Sequence, residues 1–473
     1  MKNYFFVLAL FLSIGIKAQK ELLNFPATLS GSIDTYSLID DANATHLFFM
    51  NTGGILHSKI DSTYTSSKKK FYSSMDFSTE GKSIVGHSTN SNGDVILYFA
   101  NDIRKRYYLF ILTKKGEFSV KPINLKLKGE SFVQAFMLNG KLRVLAAMKK
   151  QSFLKLYSFN EENLTDQLFD FSYTGFITQS RRSVKLSELL STRISYDFNE
   201  DLTGFINYGT PYSLETTNAR NKLYVHENNL IIGLDHRPQV TRLLYLNIET
   251  GKTSTKNITT EKTVFGEEKP TSFRSNSFVL DKNLYRLVVN KNKLHFNIID
   301  LDTEKSIKSI DINKGDKINF SNSAITQDGT IFGGNRTLET TKQFLRKIAS
   351  SQLGVSAYKN KNAIEVTMGG IQKLNFGGSG FVANNFFASP TNISGFFSSY
   401  SVTKSIFIKA LFDDEDFKAF QDANWENYFD RITDFSSKRK THYETLHENN
   451  DALIYGYYEK KSKSFSLVEF KID

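Results

Sequence analysis

The chain of 473 residues contains no cysteine, and this absence removes two kinds of stabilisation. No disulfide framework can form, and no cysteine follows the N-terminal apolar run to carry a lipid anchor. The folded state must therefore be held together by packing and hydrogen bonding.

Apolar runs long enough to span a bilayer are missing as well. The N-terminal run at residues 4–16 is shorter than the roughly 18 residues that a transmembrane helix needs. Lys2 precedes this run and the small residue Ala18 follows it, an order that is typical of a secretory signal peptide. We therefore predict a signal peptide at residues 1–18, cleaved after Ala18 or Gln19. An N-terminal core strand is the alternative.

Export is the localisation that this segment predicts. The mature chain, residues 19–473, is expected in the periplasm, on the cell surface or in the medium, without a membrane span. The end of the segment, Ile-Lys-Ala-Gln-Lys, resembles that of secreted Bacteroidota proteins.

A concentrated charge of one sign is also lacking. The formal net charge is +11, from 60 Lys and Arg against 49 Asp and Glu, but the basic residues are scattered. Short basic clusters occur at residues 68–70 and 438–440. Nucleic-acid recognition needs a concentrated basic face, so we expect no nucleic-acid partner and interpret the charge as a solvated surface.

Short alternating apolar strands separated by polar turns make up most of the chain, which is period-two β patterning. Asn, Asp and Gly suit the turns because tight hairpins need residues with positive φ. The turns lie at residues 41–43, Asn92-Gly93, Asn139-Gly140, Asn228-Asn229, Lys282-Asn283, Asp328-Gly329 and Asn449-Asn450. Their spacing of about 45–50 residues is the period of four-stranded propeller blades. The interval of 89 residues from Asn139 to Asn228 is interpreted as nearly two periods.

Two distant segments share one turn sequence. His226-Glu-Asn-Asn and His447-Glu-Asn-Asn each separate strands of the same type. This match predicts equivalent positions for the two histidines and a structural role at a strand end or turn. In the same register, residues 452–458 form the second strand of the final unit and residues 465–472 form its third.

The second half of each unit is equally regular. Residues 242–258 and 293–312 each consist of two strands joined by a polar turn. In this respect the chain resembles generic β-propeller repeat proteins. The single tryptophan, Trp425, excludes the Trp-Asp endings of WD40 blades, and the Gly-Gly pairs fall at inconsistent places for kelch repeats. No specific family motif is matched.

The resemblance implies an all-β fold, a single β-propeller of about seven four-stranded blades within a range of six to eight. A pair of β-sandwiches with the same strand signals is the alternative. The C-terminal sequence lacks a fourth strand for the last blade, and an unpaired edge would invite unwanted pairing. We predict that residues 22–30 supply this strand by antiparallel pairing.

Three insertions interrupt the predicted blades, near residues 172–221, 336–351 and 371–430. The third contains a predicted helix at residues 414–425, with acidic residues in its first turn. In the first two insertions, apolar residues at helical spacing are Val184, Leu186, Leu189, Leu190 and Ile194, and then Phe344, Leu345 and Ile348.

No residue pattern is specific enough to define a catalytic or metal site. The eight histidines form no His-Glu-x-x-His motif, and His442 and His447 have no spacing that points both at one metal. The acidic groups at residues 413–416 and 197–201 indicate a helix start and a loop. We therefore expect no catalytic residues, no metal and no cofactor.

Aromatic residues make up 14% of the chain, and most of them suit blade packing. A cluster in the third insertion is harder to assign to a blade. We predict that it forms a ligand or partner surface, and the alternative is a segment folded over the core. Its residues are Phe376, Phe381, Phe386, Phe387, Phe396, Phe397 and Tyr400.

Two functions remain open at this point. The leading hypothesis is an exported, non-catalytic binding or scaffold protein that uses propeller loops to bind a protein, peptide or glycan. The alternative is a hydrolase or lyase acting on a surface polysaccharide or peptide at the central channel. Convergent Asp, Glu, His, Arg or Tyr side chains in one concave pocket favour the enzyme, whereas a flat aromatic and basic loop face favours binding.

Overall fold

A computed structural model of the protein describes most of the chain. The described residues are 19–65, 67–73, 75, 77–101, 104–160, 163–190, 203–328, 336–371, 393, 405–420 and 425–472.

Strands dominate this described part. They are β1 Gln19–Pro26, β2 Asp34–Ile39, β3 Thr45–Asn51, β4 Gly54–Ile60, β5 Ser67–Ser73, β6 Lys82–Thr89, β7 Val95–Asn101, β8 Tyr107–Leu112, β9 Phe118–Ile123, β10 Glu130–Leu138, β11 Lys141–Met148, β12 Phe153–Asn160, β13 Asn163–Asp170, β14 Phe176–Ile177, β15 Ser183–Val184, β16 Gly204–Asn207, β17 Asn221–His226, β18 Asn229–Arg237, β19 Val240–Asn247, β20 Thr253–Thr259, β21 Arg274–Leu280, β22 Asn283–Val289, β23 Lys293–Asp300, β24 Ser306–Asn313, β25 Ile325–Gln327, β26 Arg336–Leu338, β27 Gln352–Asn360, β28 Ala363–Ile371, β29 Ser405–Asp413, β30 His442–Asn449, β31 Ala452–Glu459 and β32 Ser464–Lys471.

The described helices are short and lie between the sheets. They are α1 Leu186–Leu190, α2 Leu214–Thr217, α3 Lys262–Phe265, α4 Thr341–Ala349 and α5 Tyr428–Arg439, with a 3₁₀ turn at Pro270–Ser272.

The chain divides into two compact units. The terminal unit comprises residues 1–80 and 426–473, and the central unit comprises residues 81–425. The terminal unit holds the sheets β2-β3-β4-β5 and β1-β32-β31-β30. The central unit holds the remaining sheets.

Most sheets in the central unit also follow the order of the chain. Three are four-stranded, β6-β7-β8-β9, β10-β11-β12-β13 and β21-β22-β23-β24, and a fourth has β17-β18-β19-β20 with β16 added in parallel. The sheet β26-β25-β29-β28-β27 takes its outer strands from the chain before β27. Successive antiparallel four-stranded sheets are the blades of a β-propeller. The predicted fold class is confirmed: the chain is an all-β protein of the β-propeller class, and its described residues form seven blades.

The N-terminal strand completes the last blade, as predicted. β1 pairs antiparallel with β32 from Gln19 opposite Phe470 to Pro26 opposite Ser464. The rings of Phe25 and Phe465 pack at 5.8 Å, and Phe25 is buried. The strand ends at Pro26, earlier than the predicted Ser30, because its partner β32 begins at Ser464, opposite Pro26.

Two of the predicted hairpin turns are present where expected. Asn92-Gly93 joins the antiparallel strands β6 and β7, and Asn139-Gly140 joins β10 and β11. Three of these four residues have positive φ, namely 75° at Gly93, 51° at Asn139 and 68° at Gly140. The positive φ values that the Asn-Gly pairs predicted are therefore present in both turns.

The third predicted turn, Asp328-Gly329, is not the first hairpin of its blade. Gly329 lies outside the described residues, and β25 and β26 pair across a connection longer than a two-residue turn. The first hairpin of this blade instead turns at Lys361-Asn362, where Lys361 has φ 51°. The left-handed residue of that hairpin is Lys361, which stands between Asn360 and Asn362.

The interval of 89 residues is not two periods. The blade that ends at β13 is followed by the blade that begins at β17, with the first insertion between them. The shared His-Glu-Asn-Asn sequence also occupies different positions in its two hairpins, because the second hairpin turns two residues later in that sequence. In one blade Glu227 takes the left-handed turn position, whereas in the other it is Asn450. The final strands nevertheless fall at residues 452–459 and 464–471, close to the prediction.

The first two insertions contain helices at most of the predicted helical residues, but Val184 lies in the short strand β15 and not in a helix. Leu186, Leu189 and Leu190 are buried in α1, whereas Ile194 lies outside the described residues. In α4 the buried residues include Phe344, Leu345 and Ile348, and the side chain of Thr340 accepts a hydrogen bond from the backbone of Gln343 as an N-cap.

The helix predicted at residues 414–425 is wrong. Asp413 ends β29, and its carboxylate accepts hydrogen bonds from the backbone N–H groups of Glu415 and Asp416. A short acidic side chain that captures nearby N–H groups favours a turn over a helix. The helix in this region is α5, which begins after Asn427 with a capping box to Asp430. β29 also shows that the predicted third insertion includes a blade strand.

The pairing of β1 with β32 predicts a specific stability effect. Phe25→Ala removes a buried ring from the last blade, and large-to-small changes of this kind cost about 3–5 kcal/mol. We expect a lower urea midpoint for Phe25→Ala than for the wild-type protein, with Glu21→Ala, an exposed position on the same strand, as the control. Equal midpoints for the two variants would show that β1 does not stabilise the blade.

Candidate functional site

A chain of hydrogen-bonded ionisable side chains lies inside the first blade. Asp40 directly follows β2, and its Oδ1 accepts from the backbone N–H groups of Ala42 and Ala44 at 3.0 and 2.8 Å. Its Oδ2 lies 2.8 Å from Lys59 Nζ and 3.0 Å from His46 Nε2. The local turn therefore fixes a carboxylate at the end of the sheet.

The chain continues from His46 to a second histidine. His46 Nδ1 lies 3.0 Å from His57 Nε2. Because His46 Nε2 donates to the carboxylate, its Nδ1 carries a lone pair, and His57 Nε2–H donates to it. Phe48 stacks on His57 with ring centroids 4.8 Å apart. We name Asp40, His46, His57 and Lys59 the histidine relay.

Burial keeps both histidines of the relay neutral. Burial lowers the pKa of His57 to about 3, and the nearby His46 and Lys59 lower it further in the same direction. Burial also lowers the pKa of His46, although the hydrogen bond to Asp40 acts in the opposite direction. Burial raises the pKa of Asp40, but hydrogen bonds from Lys59, His46 and Ala44 outweigh it and hold the net pKa well below the usual range.

The relay is interpreted as structural. Asp40, His46 and His57 are buried, and among the described residues no group of three His, Cys, Asp or Glu side chains is arranged to hold a metal ion. The sequence did not single out this pair of histidines. The two histidines are brought together by the pairing of β3 with β4, in which His46 lies opposite Lys59 and Phe48 lies opposite His57.

The two histidines of the shared turn sequence have different surroundings. His447 is buried, and its Nδ1 lies 2.9 Å from Ser37 Oγ, which in turn lies 2.7 Å from Thr445 Oγ1. His226 packs edge-on against Tyr208 at 5.2 Å. Both contacts are packing or hydrogen-bonding contacts within their units, in keeping with the expected structural role.

A cleft in the central unit lies beside the first insertion. We name it the hairpin cleft, because three of its lining residues lie in the turn of the β14–β15 hairpin, and the others come from α1, the blade with β17 and β18, and the 3₁₀ turn. Its volume is about 530 Å³, within the range of small-molecule sites. It is lined by Thr178, Gln179, Ser180, Glu188, Leu189, Arg220, His236 and Thr271.

Contacts with the neighbouring blade hold the hairpin wall in place. Arg242 of β19 donates from Nη1 to the carbonyl of Gly175 at 2.6 Å, and its guanidinium lies 5.1 Å from the ring of Phe176. Thr253 Oγ1 of β20 donates to the carbonyl of Asp170 at 2.8 Å. The insertion is thereby attached to a rigid sheet, which is the support that a binding site requires.

A buried asparagine orients the histidine of the cleft. Asn221 Nδ2 donates to the carbonyl of Leu189 at 2.8 Å, so its Oδ1 is free to accept. His236 Nε2 lies 2.7 Å from that oxygen and must be the donor. Neutral His236 therefore carries its lone pair on Nδ1.

A compensated charge network lies beneath the cleft. The buried carboxylate of Asp235 accepts from Thr241 Oγ1 at 2.6 Å and from the backbone of Ser277 at 2.8 Å, and it lies 3.5 Å from buried Lys222 Nζ. The backbone N–H of Asp235 donates to the carbonyl of Arg220 at 2.8 Å. This network fixes the backbone on which Arg220 and His236 stand.

The acidic and basic groups of the cleft differ in how they are satisfied. Glu188 Oε1 accepts from the backbone of Lys185 at 2.9 Å, and Oε2 lies 3.3 Å from Arg182. Arg220 instead faces a second cation. Burial first, and then the charge of Arg220, lower the pKa of Arg274.

The lining does not supply a recognised catalytic set. Glu188 is the one carboxylate among the described lining residues, whereas glycoside hydrolysis uses a pair. Hydroxyl, amide and guanidinium groups predominate, and these can hold a polar ligand by hydrogen bonds.

The predicted aromatic cluster at Phe376, Phe381, Phe386, Phe387, Phe396, Phe397 and Tyr400 lies outside the described residues and stays a prediction. Sequence reasoning did not select Arg220 or His236. The available signal was the boundary of the first insertion, since Arg220 immediately precedes β17. Asn221, Leu189 and His236 meet through tertiary contacts that no spacing rule encodes.

Comparisons with known proteins find similar folds at low identity. No protein-family model matches the chain, and no curated protein matches it. Virginiamycin B lyase from Staphylococcus aureus is similar over 95% of this chain and 98% of its own, with 7% identity and a TM-score of 0.32. The Dos1 propeller is similar over 96% of both chains, with 10% identity and a TM-score of 0.34. Neither similarity indicates a function for this chain.

Among the described residues, none of the helices has the length and the apolar composition that a membrane span requires.

The histidine relay predicts an acid-sensitive stability. The folded-state pKa of His57, about 3, lies below its ordinary value of 6.5, so the unfolded state binds this proton first as pH falls. The contribution of His57 to the free energy of unfolding is fully present above pH ~6.5. It decreases as the pH falls toward the folded-state pKa, and about 3 kcal/mol of it is lost at pH ~4.

Urea unfolding of wild-type protein, His57→Phe and the control His442→Asn at pH ~7 and ~4.5 measures this effect. We expect a smaller loss of unfolding free energy for His57→Phe than for the wild type and the control. Equal losses in all three proteins would contradict the assignment of the neutral relay.

Proposed function

We propose that the protein is an exported, non-catalytic binding protein that holds a glycan bearing an oxyanion group in the hairpin cleft. The observation that carries the proposal is the position of Arg220 and His236 over a wall of hydroxyl and amide groups. A guanidinium recognises a carboxylate, sulfate or phosphate through directed N–H donors.

The side chains that line the cleft favour a glycan as the ligand rather than an apolar peptide segment. Thr178, Gln179, Ser180 and Thr271 offer donors and acceptors that match sugar hydroxyls, and Leu189 is the apolar exception. A protein or peptide is a further proposed ligand, and the predicted aromatic surface at residues 376–400 would bind it.

A hydrolase or lyase acting on a surface polysaccharide or peptide is the second candidate. The observation in its favour is that Glu188, Arg220 and His236 share one concave cleft, a combination that can include an acid and a base. Binding is preferred because both oxygens of Glu188 already accept from or pair with protein groups. Depolymerisation of a bound acidic polysaccharide by the purified protein would reverse this preference.

Export is proposed from the order of regions in residues 1–18. N-terminal sequencing of the protein recovered from the periplasm or medium is expected to begin at Lys20 or Gln19. Recovery of the uncleaved chain from the cytoplasm of its native host would contradict export.

Substitutions in the cleft test the binding proposal. Arg220→Ala is expected to weaken binding of a galacturonate disaccharide about tenfold or more, because a charge-assisted hydrogen bond contributes about 1.5–3 kcal/mol. His236→Gln should weaken binding to a smaller extent. Lys252→Gln, an exposed position on a turn of the same unit, is the charge-matched control.

Titration calorimetry against galacturonate and glucose disaccharides provides the measurement. Binding of the acidic sugar that is unchanged in Arg220→Ala, or an equal affinity for the two sugars, would contradict the proposed site.

A further inference from the structure

A second cleft in the central unit is rich in positive charge. We name it the helix cleft, because α4 and the strand β26 before it form its walls. Its volume is about 300 Å³. Its lining residues are Arg336, Thr337, Leu338, Glu339, Gln343, Arg346 and Lys347.

Three cations, Arg336, Arg346 and Lys347, line the cleft together with one carboxylate, that of Glu339. Burial, followed by the charges of Arg336 and Arg346, lowers the pKa of Lys347. Within the described part of the chain, no carboxylate forms an ion pair with any of the three. Arg336 donates to the side-chain oxygen of Gln327 at 3.1 Å, which is a neutral partner. Like charges held together in this way are stabilised when an anion binds between them.

The two clefts are connected by a further arginine. Arg274 Nε donates to the carbonyl of Ala349 at 2.8 Å and so joins the start of β21 to the C-terminal end of α4. The same guanidinium is close enough to Arg220 for that charge to lower its pKa further after burial. Arg274 therefore lies between the arginine of the hairpin cleft and the helix that carries Arg346 and Lys347.

We propose that the hairpin cleft and the helix cleft are two subsites for one acidic polysaccharide, whose successive oxyanion groups bind Arg220, Arg274 and the Arg336–Arg346–Lys347 group. This inference rests on the proposed function and extends it from a single acidic sugar to a chain. A ligand that reaches both subsites gains affinity because the second contact forms at high effective concentration.

The lining favours a polysaccharide over other polyanions. None of the described residues lining either cleft is Phe, Tyr or Trp, whereas single-stranded nucleic acid is held by stacking its bases on such aromatic rings. Apolar peptide side chains require apolar pockets, and the two clefts contain mainly hydroxyl, amide and charged groups. Carboxylate and sulfate share the oxyanion chemistry, and separate probes distinguish them.

The test uses the mature chain, residues 19–473, and compares ligand lengths. The probes are a galacturonate disaccharide, a galacturonate chain of about ten sugars, dextran sulfate, uncharged dextran, polyglutamate and a single-stranded oligodeoxynucleotide. Arg346→Gln/Lys347→Gln removes charge from the helix cleft. Lys115→Gln/Lys252→Gln removes equal charge from exposed turns of the same unit.

We expect the wild-type protein to bind the long galacturonate chain at least about tenfold more tightly than the disaccharide. Arg346→Gln/Lys347→Gln should abolish this gain while leaving disaccharide affinity unchanged, and Lys115→Gln/Lys252→Gln should leave both affinities unchanged. Dextran sulfate binding in place of galacturonate, with the same response to the variants, would support the subsites and assign sulfate as the oxyanion.

Three outcomes would overturn the inference. An undiminished length gain in Arg346→Gln/Lys347→Gln would show that the helix cleft is no subsite. An equal loss in Lys115→Gln/Lys252→Gln would show that net charge alone is responsible. Tighter binding of polyglutamate or the oligonucleotide would show that the ligand class is wrong. Loss of disaccharide binding to the wild type is a separate result, since it contradicts the proposed function itself.

Discussion

The antiparallel pairing of β1 with β32 is the constraint on which the terminal unit depends. A sheet edge exposes backbone donors and acceptors that must be paired or protected. The last blade receives β30, β31 and β32 from the end of the chain, and β1 covers the remaining edge of β32. Because Phe25 packs on Phe465, the same strand also contributes to the hydrophobic core between the two sheets.

The outer strand of the first blade is protected in another way. β5 carries the short lysine cluster at residues 68–70, and Lys69 Nζ donates to the carbonyl of Pro26 at 3.0 Å. Charged side chains on an edge strand discourage pairing with another chain. A cluster that suggested little about function in the sequence therefore has a structural explanation in the fold.

Charged side chains fall into two groups that differ in how their charge is compensated. In the histidine relay and around Asp235, each carboxylate faces donors that satisfy it, so these buried groups maintain the fold. In the two clefts, Arg220 faces Arg274, and Lys347 faces Arg336 and Arg346. In the proposal, an anionic ligand offsets the repulsion between these like charges.

Local chemistry explains which features could be predicted from the sequence. Alternating apolar residues and turns such as Asn92-Gly93 act within one hairpin, so they predicted strands, blades and the need for an additional outer strand. The identical His-Glu-Asn-Asn sequences led to a wrong alignment of the two blades, because the left-handed residue is Glu227 in one hairpin and Asn450 in the other. The short acidic run after β29 was misread because a side chain of Asp can cap a turn as readily as a helix.

The sequence by itself determined the all-β class, the approximate blade number and the joining of the two ends, since each follows from short-range patterning and from pairing every strand edge. Only the tertiary structure decided that Arg220, His236 and the hairpin of the first insertion share a cleft, and that Arg274 connects it to α4. These contacts join residues from different blades and insertions. Their proximity depends on how whole sheets and connections pack, which periodicity and turn chemistry along the chain do not encode.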